Sequence, residues 1–142
     1  MPNGDERVTV LLTRLNRVVF RMTDESSLGM RWKAFSLLAH LAYHSGIPQQ
    51  ELGEVLCIDA NNLVILLNEV ESAGHALRRR DPTDRRRHLV EITPAGQAAL
   101  AQAEDAIAAV EDDVLSTLSG EERRTLQKLL AKAVEGAAVV AS

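Results

Sequence analysis

Ten consecutive residues, Arg78 to Arg87, read RRRDPTDRRR and hold six of the chain's sixteen lysines and arginines. Guanidinium groups stay protonated throughout the physiological pH range, and their planar fork of N–H donors matches phosphate oxygens two at a time. The chemistry such a cluster offers is the gripping of a polyanion. The Asp-Pro-Thr-Asp between the triplets is turn-forming, and His75–Leu77 and His88–Thr93 on either side carry β-branched and apolar residues. The stretch therefore reads as a hairpin with arginines along both sides of its loop. The formal net charge of the chain is −4. Because charges beyond roughly 8 Å are screened at physiological salt, a nearby phosphate responds to the cluster and not to the sum.

A second set of side chains precedes the arginines. Asn61, Asn62 and Asn68 each offer an amide that donates and accepts, the pattern that pairs with an adenine edge, while Val64 and Ile65 suit contact with a thymine methyl. No lysine or arginine occurs between Asp59 and Leu77. Arginine-to-guanine reading therefore has no candidate there; the attraction is expected from the hairpin, with base reading that leans to A·T or to shape. The bland alternatives are a solvated charge run and a polar helix surface. The turn between the triplets and the helix pair ahead of them favour the functional reading.

Other reactive groups point to less. Cys57 is the single cysteine, so no intrachain disulfide or cysteine-rich zinc site is available. Flanked by Leu56 and Ile58, it reads as a buried packing thiol, with an oxidation sensor as the alternative. His40 and His44 stand one helical turn apart, a spacing that can hold a metal, but no glutamate lies between them and no cysteine cluster accompanies them. They are expected to be ordinary surface or core histidines, and neither metal nor cofactor is expected. Glu104, Asp105, Glu111, Asp112 and Asp113 fall on one amphipathic stretch as its solvated face. With no GxSxG, Gly-rich phosphate loop, HExxH or carboxylate pair in apolar surroundings, an enzyme is not expected.

The elements that must position these groups are helical by composition. At 142 residues, 46% hydrophobic and 25% charged, the chain suits one folded domain, and an aromatic content of 3% leaves Leu, Val, Ala and Ile to build a core. Val8, Leu11, Leu12, Leu15, Val18, Val19 and Met22 share one face of a helix predicted over Asp5–Thr23, with Arg7, Arg14, Arg17 and Arg21 opposite. DESSLGM breaks the pattern, and Arg31–His44 resumes it through Trp32, Phe35, Leu38, Leu41 and Ala42. A short helix over Gln49–Leu56 and a second over Ala60–Ala73, capped by Asp59 and stopped by Gly74, have the spacing of a helix-turn-helix. Leu52, Val55 and Leu56 face Leu63, Leu66, Leu67 and Val70, which leaves Asn61, Asn62, Ile65 and Asn68 outside. After the hairpin, Thr93-Pro94 opens a long helix to about Leu118, and Ser119 with Glu122 makes a capping box for a last helix to about Val140. The long terminal helices carry apolar stripes with no partner in the compact unit, which implies a second copy of the chain. No apolar run reaches the ~18 residues that span a bilayer, and MPNGDERV lacks a signal-peptide pattern, so a cytoplasmic protein is expected.

This order of elements, together with RRRDPTDRRRHLVEITPAGQAAL, resembles the MarR family of winged helix-turn-helix regulators. The most specific part is the D-x-R of Asp84 to Arg86, then Val90, Ile92, Thr93 and Gly96, with Gly74 upstream. The resemblance covers nearly the whole chain. It implies a mainly α fold, a winged helix-turn-helix with a two-stranded β wing and long N- and C-terminal dimerisation helices. It divides the 1–142 domain into a DNA-binding part at 30–96 and dimerisation helices at 5–23 and 97–140. The family works as an obligate dimer on double-stranded DNA, with two recognition helices in successive major grooves and a wing-tip arginine in the adjacent minor groove. By motif position that arginine is Arg86, oriented by Asp84, with Arg78, Arg79, Arg80, Arg85 and Arg87 beside it. First-strand positions His75 and Ala76 hold no large aliphatic, so that strand is expected to be short or differently packed. Family habit favours a repressor of a palindromic operator. Small aromatic or phenolic effectors bind family members between the dimer helices and the winged part, near Arg14, Met22, Trp32 and Phe35 here. Two alternatives stand: a winged-helix protein-interaction module, because the recognition helix lacks positive charge, and a thiol-responsive regulator using Cys57.

Overall fold

The computed structural model describes residues 4–141, and side chains through residue 137. The ends of the 1–142 expectation, including the Val140 side chain, lie outside that range. Among the described residues seven helices and three short strands follow in the order α1 (Val8–Met22), α2 (Glu25–Leu28), α3 (Trp32–Tyr43), β1 (Ile47–Pro48), α4 (Gln49–Leu56), α5 (Ala60–Ser72), β2 (Ala76–Arg80), β3 (His88–Ile92), α6 (Pro94–Val114) and α7 (Gly120–Ala141). Among the described residues, no helix is long and apolar enough to cross a membrane.

Leucines spaced at helical intervals build the core. Leu37, Leu38 and Leu41 of α3 meet Leu52 of α4 and Leu63, Leu66, Leu67 and Val70 of α5. Ile47, Ala76 and Val90 close it from the sheet, and Leu100 of α6 from below. Each of the fully buried leucines contributes about 1.5–3 kcal/mol by leaving water. Val55 departs from the expected stripe: the eight-residue α4 buries only Leu52 and Gly53, and Val55 is exposed.

The sheet is antiparallel in the order β1-β3-β2. The two-stranded wing is present, and β1 extends it by pairing Ile47 with Val90 and Pro48 with Leu89 on the other edge of β3. β2 is longer than expected. Ala76 pairs with Ile92 and the register continues through Arg78 with Val90 to Arg80 with His88, so the first arginine triplet lies inside the strand and not in the loop. Ala76 is small enough to be buried against the core, which anchors the strand without a large aliphatic. Two further departures are local. DESSLGM contains one helical turn, α2, because Asp24 accepts from the Ser26 amide as an N-cap and Gly29 (φ 79°) ends it. The helix expected to reach Leu118 stops at Val114, where the chain tightens into turns closed by Ser116 N donating to Asp113 O and Leu118 N to Leu115 O.

The Thr93-x-x-Gly96 motif has a packing explanation. Thr93 donates its hydroxyl to Gly74 O (2.6 Å) and accepts from Gly96 N (3.0 Å), while its own amide donates to His75 O (3.0 Å). These bonds seat the first turn of α6 directly on the backbone at the start of the wing, and a Cβ at Gly96 would collide with the His75 carbonyl. Gly96→Ala should lower unfolding free energy by about 1–3 kcal/mol, as overpacking does. Denaturant titration checks this, and an unchanged midpoint would show that the contact gives way freely.

α1 and α7 are held differently from the rest. α1 buries no residue, and Leu11, Leu12, Leu15, Val18, Phe20 and Met22 remain exposed along it. α7 begins with the capping box, Ser119 N donating to Glu122 Oε1 (2.9 Å) and Glu122 N to Ser119 Oγ (3.1 Å). Leu129, Leu130 and Val134 then face solvent.

Candidate nucleic-acid interface

The turn between α4 and α5 is tight because Gly53 is buried: a Cβ there would lie 3.1 Å from both the Ile58 carbonyl and the Leu63 side chain. Cys57 leaves α4 with φ 55°, a left-handed conformation that few side chains adopt readily. That conformation corrects the expectation of a packing thiol: it carries Cys57 to the outside, where the residue is exposed. Asp59 then starts α5, its carboxylate accepting from the Asn62 amide (3.0 Å) and from Asn62 Nδ2 (2.6 Å). Those two bonds hold the Asp59 carboxyl below its ordinary pKa.

The outer face of α5 carries Asn61, Asn62, Val64, Ile65 and Asn68, all exposed as expected. Their amides are not equally available. Asn62 Nδ2 is committed to the cap, and Asn68 Oδ1 accepts from Arg78 Nη2 at 2.6 Å. Asn61, Val64 and Ile65 form what remains, a surface with one amide unengaged among the described residues and two branched apolar side chains, of which Ile65 is 61% exposed.

Two aspartates build the wing tip. Asp81, itself buried, accepts from the Thr83 amide (2.9 Å) and hydroxyl (2.7 Å), and its own amide donates to Arg87 O (3.0 Å). The Thr83 bonds, with Arg87 nearby, lower the Asp81 pKa. Asp84 accepts from the Arg86 amide (3.1 Å) and from Arg86 Nε (3.3 Å), the orienting contact expected from the motif. Arg86 nonetheless projects, with 92% of its side chain exposed.

The other arginines differ in what they have free. Arg79 pairs with Glu91 across the hairpin at 2.6 Å, and Arg87 lies 3.6 Å from Asp81. Arg80 donates to the Arg85 carbonyl (2.8 Å), while the Arg85 guanidinium has no acceptor among the described residues. Arg78 is bound to Glu71 of α5 at 2.8 Å. Between the α4–α5 pair and the wing runs an open groove of about 890 Å³, whose lining includes Gln49, Gln50 and Glu54 of α4, Ala60, Leu63 and Val64 of α5, and Arg86, Arg87 and His88.

A smaller cavity of about 370 Å³ lies on the other side of the helix-turn-helix, lined by Phe20, Trp32, Lys33, Ser36, Cys57, Asp59 and Asn62 among others. Of the four residues expected at an effector pocket, Trp32 lines it. Phe35 packs against the core and meets Trp32 edge-on at 5.7 Å, Met22 stays exposed on α1, and Arg14 is paired with Glu6 at 2.9 Å. Phe20, whose ring meets Trp32 edge-on at 4.8 Å, and Lys33 line the cavity beside Trp32. Phe20 falls off the apolar stripe of α1, so periodicity gave no sign of it. His40 and His44 stack at 4.5 Å, and burial, aided by His44, pushes the His40 pKa down. Among the described residues no three metal-capable side chains cluster.

A helix-turn-helix followed by an arginine-tipped hairpin that stands beside its second helix defines a winged helix-turn-helix protein. The MarR family model matches residues 30–88. A protein of Thauera aromatica proposed to be the transcriptional regulator for the hcr operon is 33% identical over 111 residues, spanning 78% of this chain and 67% of that one. The transcriptional regulator HosA of Escherichia coli O111:H- is 32% identical over 98 residues, spanning 69% and 73%. Among solved structures, the transcriptional repressor CouR bound to a 23-mer DNA duplex superposes with a TM-score of 0.77 at 30% identity, covering 94% of this chain and 97% of that one. The chain belongs to the MarR family of transcriptional regulators, which are DNA-binding proteins and not enzymes.

Proposed function

We propose that this protein is a cytoplasmic, homodimeric repressor that occupies a palindromic operator, with α5 in the major groove and the wing tip in the adjacent minor groove. The observation that carries the reading is the groove itself: Val64 from the exposed face of α5 and the projecting Arg86 both line it, so that a DNA backbone laid along it would meet helix and wing together. The exposed apolar faces of α1 and α7 support a second copy of the chain, with residues 30–96 as the DNA-binding part and 5–23 and 97–140 as the dimerisation helices. A two-fold pair presents its recognition helices about 34 Å apart, one turn of DNA, and so selects a palindrome. The likeness to the DNA-bound CouR supports the same mode.

Base reading follows from what α5 leaves free. With Asn62 and Asn68 engaged within the protein, Asn61 suits an adenine edge and Val64 and Ile65 suit thymine methyls. Selection of bound sequences from random DNA at two salt concentrations tests the whole proposal. The expected outcome is a two-fold symmetric, A·T-leaning site whose affinity falls steeply with salt, by about 0.9 log units per log salt for each phosphate neutralised. Salt-insensitive binding, or no enrichment, would favour a protein-interaction module. Replacing thymine by uracil in the selected site removes only methyl groups, and each methyl buried on α5 is worth about 0.8 kcal/mol, so affinity should fall about fourfold per contacted base. Unchanged affinity would assign the specificity to DNA shape.

Release by a small aromatic or phenolic anion is supported by the cavity beside Trp32, where Phe20 and Trp32 offer aromatic walls and Lys33 a positive charge. Because Asp59 and Asn62 at the start of α5 also line it, an occupant there would press on the reading helix.

A further inference from the structure

We infer that Glu71 is the positioning residue of the interface: by chelating Arg78 together with Asn68, it locks the wing to the recognition helix and withdraws Arg78 and Asn68 from DNA. The inference rests on the DNA-binding reading above and adds to it which residues set the geometry.

Four hydrogen bonds converge on one arginine. The Arg78 amide donates to Glu71 Oε1 (2.8 Å), Nε to the same oxygen (3.1 Å), Nη2 to Glu71 Oε2 (2.8 Å), and Nη2 also to Asn68 Oδ1 (2.6 Å). The carboxylate is used on both oxygens and the guanidinium on two nitrogens, the bidentate geometry that gives strength and direction together. Exposure follows the same division: 21% of the Arg78 side chain reaches solvent, against 92% for Arg86. The Arg78 bonds lower the Glu71 pKa, so the carboxylate is ionised when the clamp is closed.

Strand periodicity and helix periodicity produce the clamp between them. Alternate residues of a strand share a face, so Arg78 lies on the side that Ala76 buries against the core. Asn68 and Glu71 are three apart on α5 and so lie side by side toward that strand. On another side of the helix, Arg31, at the N-cap of α3, binds Glu69 at 2.9 Å. α5 is thus braced to the scaffold by one ion pair and to the wing by the other.

The mechanical consequence is large because the wing is long. At about 3.4 Å per residue, the four steps from Ala76 to Arg80 put the loop ~14 Å from the strand's root. A swing of about 15° at that root would move the tip by ~4 Å, most of the ~6 Å width of a minor groove. Gly74, with φ 79°, joins wing to helix by a residue type that resists such a swing least. A bidentate clamp at Arg78, four residues further along, is well placed to stop it.

Operator binding, random-DNA binding and salt slopes of full-length Glu71→Gln, Arg78→Lys and the exchange Glu71→Arg with Arg78→Glu test the inference. Glutamine still accepts from the Arg78 amide, so folding should survive; if it does not, Arg78→Lys carries the same expectation without touching the carboxylate. Glu71→Gln should bind the operator about tenfold more weakly and random DNA within about threefold of wild type, with an unchanged slope, and the exchange should restore most of the loss. A purely stabilising role would lower the melting temperature and leave operator affinity intact, which overturns the inference. So would tighter binding to both DNAs with a steeper slope, since Arg78 would then be a phosphate contact that Glu71 merely neutralises. Wild-type protein that binds no selected DNA would sink the DNA-binding reading instead. The clamp is then judged in the free protein: loss of hydrogen-exchange protection at the Arg78 amide in Glu71→Gln upholds it, and unchanged protection refutes it.

Discussion

Ending the chain at Ser119 should convert the protein to a monomer and weaken operator binding by more than about 100-fold, because two linked half-site contacts exceed one by factors of 10² to 10⁴. The expectation starts from water. α7 spans Gly120–Ala141, and of its side chains described only Arg123 and Leu126 are partly buried, while Leu129, Leu130 and Val134 stand exposed at helical spacing. α1 has the same character, with no buried residue in fifteen. Amphipathic helices of this length hold together through the burial of their apolar face and not through intrinsic propensity. Covering each large apolar side chain contributes about 1.5–3 kcal/mol, so burial of both faces in two copies comfortably exceeds the association cost of about 4–15 kcal/mol. Sedimentation or light scattering reads the state and a DNA titration reads the affinity. A folded dimer with undiminished operator binding after truncation would remove α7 from the proposed interface. The compact unit from Arg31 to Gly96 has its own core, so the truncated chain should keep its helix-turn-helix signal.

Arg86→Ala should cost about 1–3 kcal/mol of operator binding for each subunit, which in a dimer amounts to roughly a 1,000-fold loss at the middle of that range. Of the four ion-paired wing arginines, Arg86 combines the greatest exposure with a fixed direction: its guanidinium is steered by Asp84 at 3.3 Å yet has 92% of its side chain in solvent. A guanidinium so placed is weakly hydrated and permanently charged, suited to a narrow groove where the negative potential is highest. The loss should come with a salt slope reduced by about one unit per subunit if a phosphate contact goes with it, and dimer mass should not change. Wild-type affinity in Arg86→Ala would dismiss the wing tip as a contact. Asp84→Asn is the milder companion, since it keeps the Asx-turn acceptor for the Arg86 amide while removing the charge that aims the side chain.

These two expectations bracket how the positive charge is organised. Four of the six arginines have a carboxylate within ion-pair distance: Arg78 with Glu71, Arg79 with Glu91, Arg86 with Asp84 and Arg87 with Asp81. A run that looks uniformly cationic is therefore graded, from the clamped Arg78, through partnered but exposed groups, to Arg85 with no acceptor among the described residues. The field at the tip comes from fewer residues than composition suggests, and its direction is set by the acids around it.

Much of this was legible in order. Helical periodicity located α1, α3, α4, α5, α6 and α7 to within a few residues, because each has an apolar stripe, and α5, α6 and α7 also open on a recognisable cap: Asp59, Thr93-Pro94, and Ser119 with Glu122. The exposed face of α5 followed from the same stripe, and the D-x-R spacing identified the Asp84–Arg86 contact. Cys57 and Val55 were misjudged because hydrophobic neighbours in sequence imply burial only when the helix is long enough to have two sides covered. In the eight-residue α4 they are not.

By itself the sequence determined which segments are helices, where they start, and that a cationic hairpin follows a helix pair, since these depend on neighbours within a few residues. It could not decide what each polar side chain would touch. Whether Arg78 meets a phosphate or Glu71 depends on the register that lays β2 against α5, and whether Asn68 reads a base depends on that same strand. Such partners are chosen by long-range packing of the core, through Ala76, Val70 and Val90, and no local spacing encodes it.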